Sequence, residues 1–255
     1  MFKTFRNALR IDDIRKKLIF TFLMLLVIRF GSQLPVPGVN RDYFAAWFAA
    51  QNNGAFNFFD AFTGGSFSSM SLFALGVNPY ITSSIIVQLL TIAIPALEEM
   101  QKDGEEGRKK MNRITRYFAL GLGFAQSVAY YFFIKSQDML LTDANGKAFT
   151  GFSAVLQAVV VILCYTAGTA LVMWLGERIN EKGIGNGISL IIMVGIIARL
   201  PYALTAEIGM KFTGNGVGGP LLFVVELVIL FFVFIAAIAL VQAVRKVPVQ
   251  YAKRV

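Results

Sequence analysis

Long runs of apolar residues restrict what this chain can fold into more than any other feature of its sequence. A helix needs about 20 consecutive apolar residues to cross the hydrocarbon core of a bilayer. Hydrophobic residues make up 56% of the 255 positions and charged residues only 15%, far from the soluble average. The runs predict an all-α, polytopic membrane helix bundle with six transmembrane helices, near residues 18–34, 72–95, 117–134, 152–175, 187–206 and 220–243.

One apolar stretch, residues 54–95, is interrupted twice and cannot form one continuous helix. The breaks are at Gly64-Gly65 and at Asn78-Pro79, and serines are scattered through the stretch. Lipid offers no hydrogen-bond partners, so irregular backbone at membrane depth persists only inside protein or beside a water-filled cavity. We therefore expect a short, re-entrant helical piece within residues 54–70 and a polar pathway near it.

The basic residues are distributed unevenly between the loops. Most lie in an amphipathic N-terminus (1–17), in two loops (96–116 and 176–186) and in the tail (244–255). The intervening loops hold only Arg41, Lys135, Lys147 and Lys211. Under the positive-inside rule this asymmetry predicts that both ends are cytoplasmic and that residues 54–70 do not span. The net charge of +9 is therefore chiefly a topology signal.

The sequence lacks the usual elements of a catalytic or cofactor site. It has no histidine and a single cysteine, Cys164, so a disulfide framework and a cysteine-rich metal site are both excluded. Paired carboxylates and a nucleophile with a base are not evident. The glycine-rich turn at residues 183–187 does not match a phosphate-binding fingerprint. We expect no enzymatic activity, cofactor or metal.

Two helices begin with aliphatic residues at helical spacing. On the second span one face carries Val77, Ile81, Ile85 and Gln88, and the fifth span opens with Ile188 and Ile192. Such a strip either packs against neighbouring helices or forms a hydrophobic constriction that closes a polar passage by dewetting. The spacing alone leaves both alternatives open.

Charged residues also lie within or close to the predicted spans, where they are costly. They are Arg29, Arg199, Glu207 and Glu226. Snorkelling or pairing between helices explains them as well as a proton relay does. In the loop 96–116, the cluster Arg108-Lys109-Lys110 is interleaved with acidic residues. It is suited to anionic lipid, ribosomal RNA or an acidic partner surface.

Several long motifs occur in an order that resembles the SecY family, the channel subunits of the bacterial protein-export translocase. They are PVPGV (35–39), FDAFTGGSFSSMSLFALGVNPYITSSIIVQLL (59–90), KDGEEGRKKMNRITRY (102–117), WLGERINEKGIGNGISLII (174–192) and VPVQYAKRV (247–255). The resemblance covers the first six of that family's ten membrane helices, so we expect the C-terminal half of the channel to be missing from this chain.

The resemblance assigns roles to individual positions. A plug, a short helix that sits below the constriction, corresponds to residues 55–65 and includes Phe58, Phe59, Phe62, Thr63, Gly64 and Gly65. The ring of aliphatic side chains that forms the constriction corresponds to Val77, Ile81, Ile188 and Ile192. The lateral gate, through which signal sequences reach lipid, corresponds to the helix face around Ile85 and Gln88.

The resemblance also implies a function and partners. Family members pass unfolded polypeptides across the plasma membrane and release transmembrane segments laterally into lipid. They work with SecE and SecG, and with the SecA motor or a translating ribosome docked on cytoplasmic loops. The matching basic positions here are Arg108, Lys109, Lys110, Arg245, Lys246, Lys253 and Arg254.

Two other functions compete with this interpretation. Broken helices also occur in secondary solute transporters, which would need a polar site near the bilayer midplane. A non-conducting scaffold, or a fragment that requires its C-terminal half, is the other alternative.

Overall fold

The computed structural model describes residues 11–50, 54–142, 149–212 and 219–243, and within them every regular element is a helix. The predicted all-α class is therefore confirmed. In chain order the helices are α1 Asp12–Gly31, α2 Arg41–Ala50, α3 Gly54–Phe62, α4 Asn78–Ala93, α5 Pro95–Lys102, α6 Gly104–Ser136, α7 Phe152–Lys182, α8 Gly187–Phe212 and α9 Gly219–Gln242. The chain divides into two compact units, one that ends at Arg199 and one that begins at Leu200, and this division falls inside α8.

Four helices of the described chain, α6 to α9, are long and apolar enough to cross a membrane. The pair α4 and α5, bent by 103°, provides a fifth span if it is counted as one broken crossing. Helix α1 is not among them, and its first turns carry charged residues such as Asp12, Asp13 and Arg15. The number of six spans therefore stays a prediction.

The predicted loop over residues 96–116 is wrong, because most of this segment is helical. Helix α5 and the first turns of α6 occupy it, with a break at Asp103. Exposed ion pairs at i,i+4 spacing support both helices: Lys102 with Glu98 at 2.6 Å and Lys109 with Glu105 at 3.1 Å. Most charged residues of 96–116 therefore belong to exposed helices and not to a loop.

Other boundaries also differ from the predictions. The loop predicted from residue 176 is helical up to Lys182, and α8 continues past residue 206 to Phe212. Helix α2 was not predicted from the sequence. The second span, predicted over 72–95, is helical only from Asn78 to Ala93.

Two prolines set the limits of α4. Pro79 occupies the first turn, where its missing N–H is not needed. At the other end Ile94 is extended, with φ −116° and ψ 111°, because Pro95 disfavours a helical conformation in the residue before it. The chain therefore turns sharply into α5.

The segment between α3 and α4, residues 63–77, is irregular but hydrogen-bonded within the protein. The Val36 N–H donates to the Met70 carbonyl at 3.0 Å, and the Leu72 N–H donates to the Leu34 carbonyl at 2.9 Å. Gly168 of α7 lies against the Leu72 carbonyl, and a Cβ at this glycine would be 2.9 Å from the Leu72 carbonyl carbon. The bare glycine lets the irregular segment sit against α7.

Two hydrophobic clusters flank this segment in the unit that precedes Leu200. The aromatic cluster contains Val36, Val39, Phe44, Phe67, Met70, Ala74, Leu75, Tyr130, Tyr131, Ile134, Met139, Val161 and Tyr165. The aliphatic cluster contains Ile28, Phe73, Val77, Val172, Leu175, Ile179, Ile188 and Ile191. Because the segment contributes to both, its path is fixed from two sides.

The second unit contains the end of α8 and helix α9. Lys211 pairs with Glu207 at 3.0 Å and also with Glu226 of α9. Glu226 therefore takes part in pairing between α8 and α9, whereas Glu207 pairs within α8. The ring of Phe212 lies 6.3 Å from that of Phe223, and the side chains of α9 are largely exposed.

We predict that Gly168→Ala destabilises the protein by about 1–3 kcal/mol, since the added methyl group overpacks the contact with Leu72. The matched control is Gly121→Ala in α6, where a Cβ would meet nothing within 4 Å. This control should be neutral or stabilising by up to about 1 kcal/mol. The midpoint of unfolding in detergent measures both changes, and equal midpoints for the two variants would contradict the prediction.

Candidate functional site

The four aliphatic residues predicted for the ring come together in one cluster. Val77, which directly precedes α4, and Ile188, in the first turn of α8, are both buried, with 9% of each exposed. Ile81 and Ile192 are half-buried and pack against the same aliphatic cluster. The structure therefore assembles all four at the beginnings of α4 and α8.

The glycine-rich turn fixes where α8 begins. The Asn186 Oδ1 accepts hydrogen bonds from the N–H groups of Ile188 (3.1 Å) and Ser189 (3.3 Å), so Asn186 caps the helix. The Asn180 Oδ1 accepts from the Gly187 N–H at 2.6 Å. A Cβ at Gly187 would be 2.8 Å from that of Ile179, so glycine is what permits α8 to start against α7.

A small cavity lies on one side of these aliphatic residues. Its volume is about 40 Å³, and Val77 and Ile192 line it together with Phe62 and Thr63 from the end of α3. A cavity of this size has room for only a few water molecules. Two of the four ring positions therefore face the residues predicted to form the plug.

The other two ring positions line a more polar space. Ile81 and Ile188 border a crevice of about 250 Å³ between α4 and α8. Its remaining lining residues are Tyr80, Ser84, Ile85, Asn180, Asn186 and Ser189. The aliphatic group therefore borders a small, mainly apolar cavity through one pair of residues and a polar crevice through the other pair.

The predicted plug, residues 55–65, corresponds to α3 and the turn that follows it. Phe59 packs edge-on against Phe67 with ring centroids 5.1 Å apart, whereas Phe58 is 66% exposed and contacts Phe62. Gly64 and Gly65 have φ values of 66° and 87°, a left-handed conformation that favours glycine. The glycine pair thus reverses the chain directly after α3.

Asp60 is a buried residue that the sequence analysis missed. Its side chain is fully buried, its Oδ2 pairs with the Arg199 guanidinium, and its Oδ1 accepts a hydrogen bond from the Ser68 N–H at 2.8 Å. The Arg29 Nη1 donates to the Gly64 carbonyl at 3.1 Å. A signal was present, since Asp60 is the only acidic residue between Asp42 and Glu98.

The residues predicted for the lateral gate lie on the surface of the described chain. Ile85 is 52% exposed, and Gln88 is also exposed, with its Nε2 donating to the Ser84 Oγ at 3.5 Å. The three basic residues Arg108, Lys109 and Lys110 are exposed on α6. The other predicted docking residues, Arg245, Lys246, Lys253 and Arg254, lie outside the described residues.

The fold and its apolar helices define a class: a multi-pass helical membrane protein with a broken segment beside an aliphatic cluster. A family model described as SecY matches residues 71–255. The chain belongs to the SecY family.

Curated relatives support this membership. The chain is 41% identical to a protein translocase subunit SecY from Halalkalibacterium halodurans and 40% identical to one from Bacillus subtilis. These matches cover 100% and 99% of this chain, respectively, and 57% of each relative. The subunit from Thermotoga maritima is 41% identical, with 100% of this chain and 58% of the relative covered. The chain therefore spans a little over half the length of the relatives it matches.

We predict that Gly64→Ala dislodges the turn after α3. The new Cβ would lie 2.8 Å from the Gly195 Cα and 2.9 Å from the Arg29 Nη1, in addition to the strain of φ 66°. Gly76→Ala is a matched control, because it adds similar strain at φ 55° but its nearest contact is 3.7 Å away.

The measurement is maleimide labelling of Ser66→Cys, a position only 2% exposed, in a Cys164→Ala background. Gly64→Ala should accelerate labelling and Gly76→Ala should leave it slow. Equal labelling rates for the two variants would mean that close packing does not hold this turn.

Proposed function

We propose that this chain forms part of a protein-conducting channel. The channel would pass unfolded polypeptides across the bacterial plasma membrane and release transmembrane segments laterally into lipid. The observation that carries the proposal is the meeting of Val77, Ile81, Ile188 and Ile192 between the cavity at the end of α3 and the polar crevice. Membership of the SecY family supports it independently.

The ring works through the absence of hydrogen-bonding groups. Aliphatic side chains offer nothing to water or ions, so a narrow collar of them closes a passage by dewetting. The same side chains can surround an extended polypeptide without binding one particular sequence. A constriction of this kind therefore combines a seal at rest with low substrate specificity.

The plug would complete the seal. Helix α3 and its glycine turn border the same cavity as Val77 and Ile192, through Phe62 and Thr63. A passing chain has to displace this short element, which is joined to α4 by the irregular segment rather than by continuous helix. Displacement of the plug therefore need not move α4.

The lateral gate would use the exposed face of α4 around Ile85 and Gln88. Since the chain covers only 57% of the length of its relatives, we assign the opposing face of the gate, and the remaining members of the ring, to the rest of the protein. The 52% exposure of Ile85 fits a position that other helices cover in the complete channel.

The proposed partners are SecE and SecG in the membrane, and the SecA motor or a ribosome at the cytoplasmic loops. Both ends of this chain would face the cytoplasm. Exposed Arg108, Lys109 and Lys110 on α6 are suited to an acidic protein surface or to RNA, and we propose the tail residues Arg245, Lys246, Lys253 and Arg254 for the same role. Energy for transport would come from these partners rather than from an active site in this chain.

A solute transporter is a weaker alternative. In transporters the broken helices expose polar groups to a substrate site near the midplane. Here the residue at the break, Val77, is apolar and is buried in the aliphatic cluster.

We predict that Ile81→Asn and Ile192→Asn each raise the resting ion conductance of the assembled channel, because a polar side chain wets the constriction. Both should also relax signal-sequence selectivity. The test uses the full-length protein with its partner subunits in proteoliposomes, together with export of a substrate whose signal sequence is defective.

Ile162→Asn provides the control. Ile162 is also half-buried, but it packs against the aromatic cluster, away from the proposed ring. This variant should lose stability without leaking. If the two ring variants keep wild-type conductance and still reject the defective signal, the ring assignment is wrong.

A further inference from the structure

Asp60 occupies a position that its own helix does not favour. It lies near the C-terminal end of α3, where the helix dipole is negative and an acidic side chain is destabilising. Its carboxylate is also fully buried. A buried charge at this place requires compensation from another part of the structure.

Arg199 of α8 supplies that compensation. Its Nη1 pairs with the Asp60 Oδ2, and its guanidinium lies over Gly65, where a Cβ would be 3.5 Å from the Arg199 Nε. The Arg199 side chain is 39% exposed, so the cation keeps contact with the surroundings while the carboxylate does not. The pair ties the end of α3 to α8.

A second arginine holds the same turn from α1. The Arg29 Nη1 donates to the Gly64 carbonyl at 3.1 Å, and the bare Cα of Gly64 leaves the space that this guanidinium occupies. The turn after α3 is thus held by a charge pair with α8 and by a charge-assisted hydrogen bond with α1.

The α8 face that carries Arg199 also carries a proposed ring residue. Ile192, Gly195 and Arg199 are spaced i, i+3 and i+7, which places them on one side of the helix. A Cβ at Gly195 would lie 3.2 Å from the Phe62 carbonyl, so the end of α3 rests directly on this face. Ring and plug attachment therefore share one surface of α8.

We propose that the Asp60–Arg199 ion pair is a latch that keeps the plug seated, and that its strength sets how readily the resting channel opens. This inference rests on the proposed channel function. Displacing the plug separates the two charges, so the pair stabilises only the seated state. Asp60 and Arg199 are positioning residues in this role, and they do not form the constriction themselves.

The test compares Asp60→Asn, Arg199→Gln and the double variant in the full-length protein, assembled with its partner subunits in proteoliposomes. Asparagine preserves the size of Asp60 and the acceptor for the Ser68 N–H, so Asp60→Asn removes the charge and the acceptor that faces Arg199. Each single variant should raise the resting ion flux about tenfold. We expect a smaller effect than for a fully buried pair, because the Arg199 side chain is partly exposed. Maleimide labelling of Ser66→Cys should accelerate in parallel.

The double variant distinguishes a latch from two independent defects. If the residues act through their pair, the double variant should leak no more than the leakier single variant. Additive leaks would overturn the proposal. Arg116→Gln and Glu177→Gln serve as matched controls, because they break an Arg–carboxylate pair that joins α6 to α7 instead of α3 to α8, and they should leave the flux unchanged.

Failure of the latch can be told apart from failure of the channel function. If Asp60→Asn and Arg199→Gln show wild-type flux while Ile81→Asn leaks, the proposed latch is wrong and the ring assignment still holds. If Ile81→Asn and Ile192→Asn are also tight, the proposed channel function fails as well. Loss of assembly in the isosteric Asp60→Asn would also overturn the latch, since the pair would then hold the fold rather than the plug.

Discussion

The need to satisfy backbone hydrogen bonds in an apolar environment determines most of this structure. Residues 63–77 are not helical, so their polar groups need partners in local turns and in neighbouring parts of the protein. The connection between α1 and α2 supplies two of them, through Leu34 and Val36, and Gly168 lets the segment approach α7 closely. Once this segment is fixed, the positions of α3 and of the start of α4 follow from it.

Features that depend on short stretches of sequence could be predicted. The apolar runs identified the long helices, and Asn78-Pro79 marked the true beginning of α4, although the span itself was placed six residues too early. The spacing of Ile188 and Ile192 placed both on one face of α8, a pattern that lies within two helical turns. Their contact with the distant Val77 and Ile81 was expected only from the resemblance to the SecY family.

Features that depend on distant pairs could not be predicted in the same way. Asp60 and Arg199 are 139 positions apart, and the sequence alone does not indicate that α8 passes beside the end of α3. The helical segment over 104–116 was missed for another reason. Its high charge is typical of a loop, but Glu105 and Lys109 are one helical turn apart and stabilise an exposed helix.

The arrangement of Ile192 and Arg199 on one face of α8 has a mechanical consequence. The two residues are seven positions apart, about 10 Å along the helix axis. Any rotation of α8 about its own axis would swing both side chains in the same direction. A rotation that carries Ile192 out of the proposed ring would also pull Arg199 away from Asp60. The proposed constriction would then widen and α3 would be released in a single concerted motion, the rotation of α8.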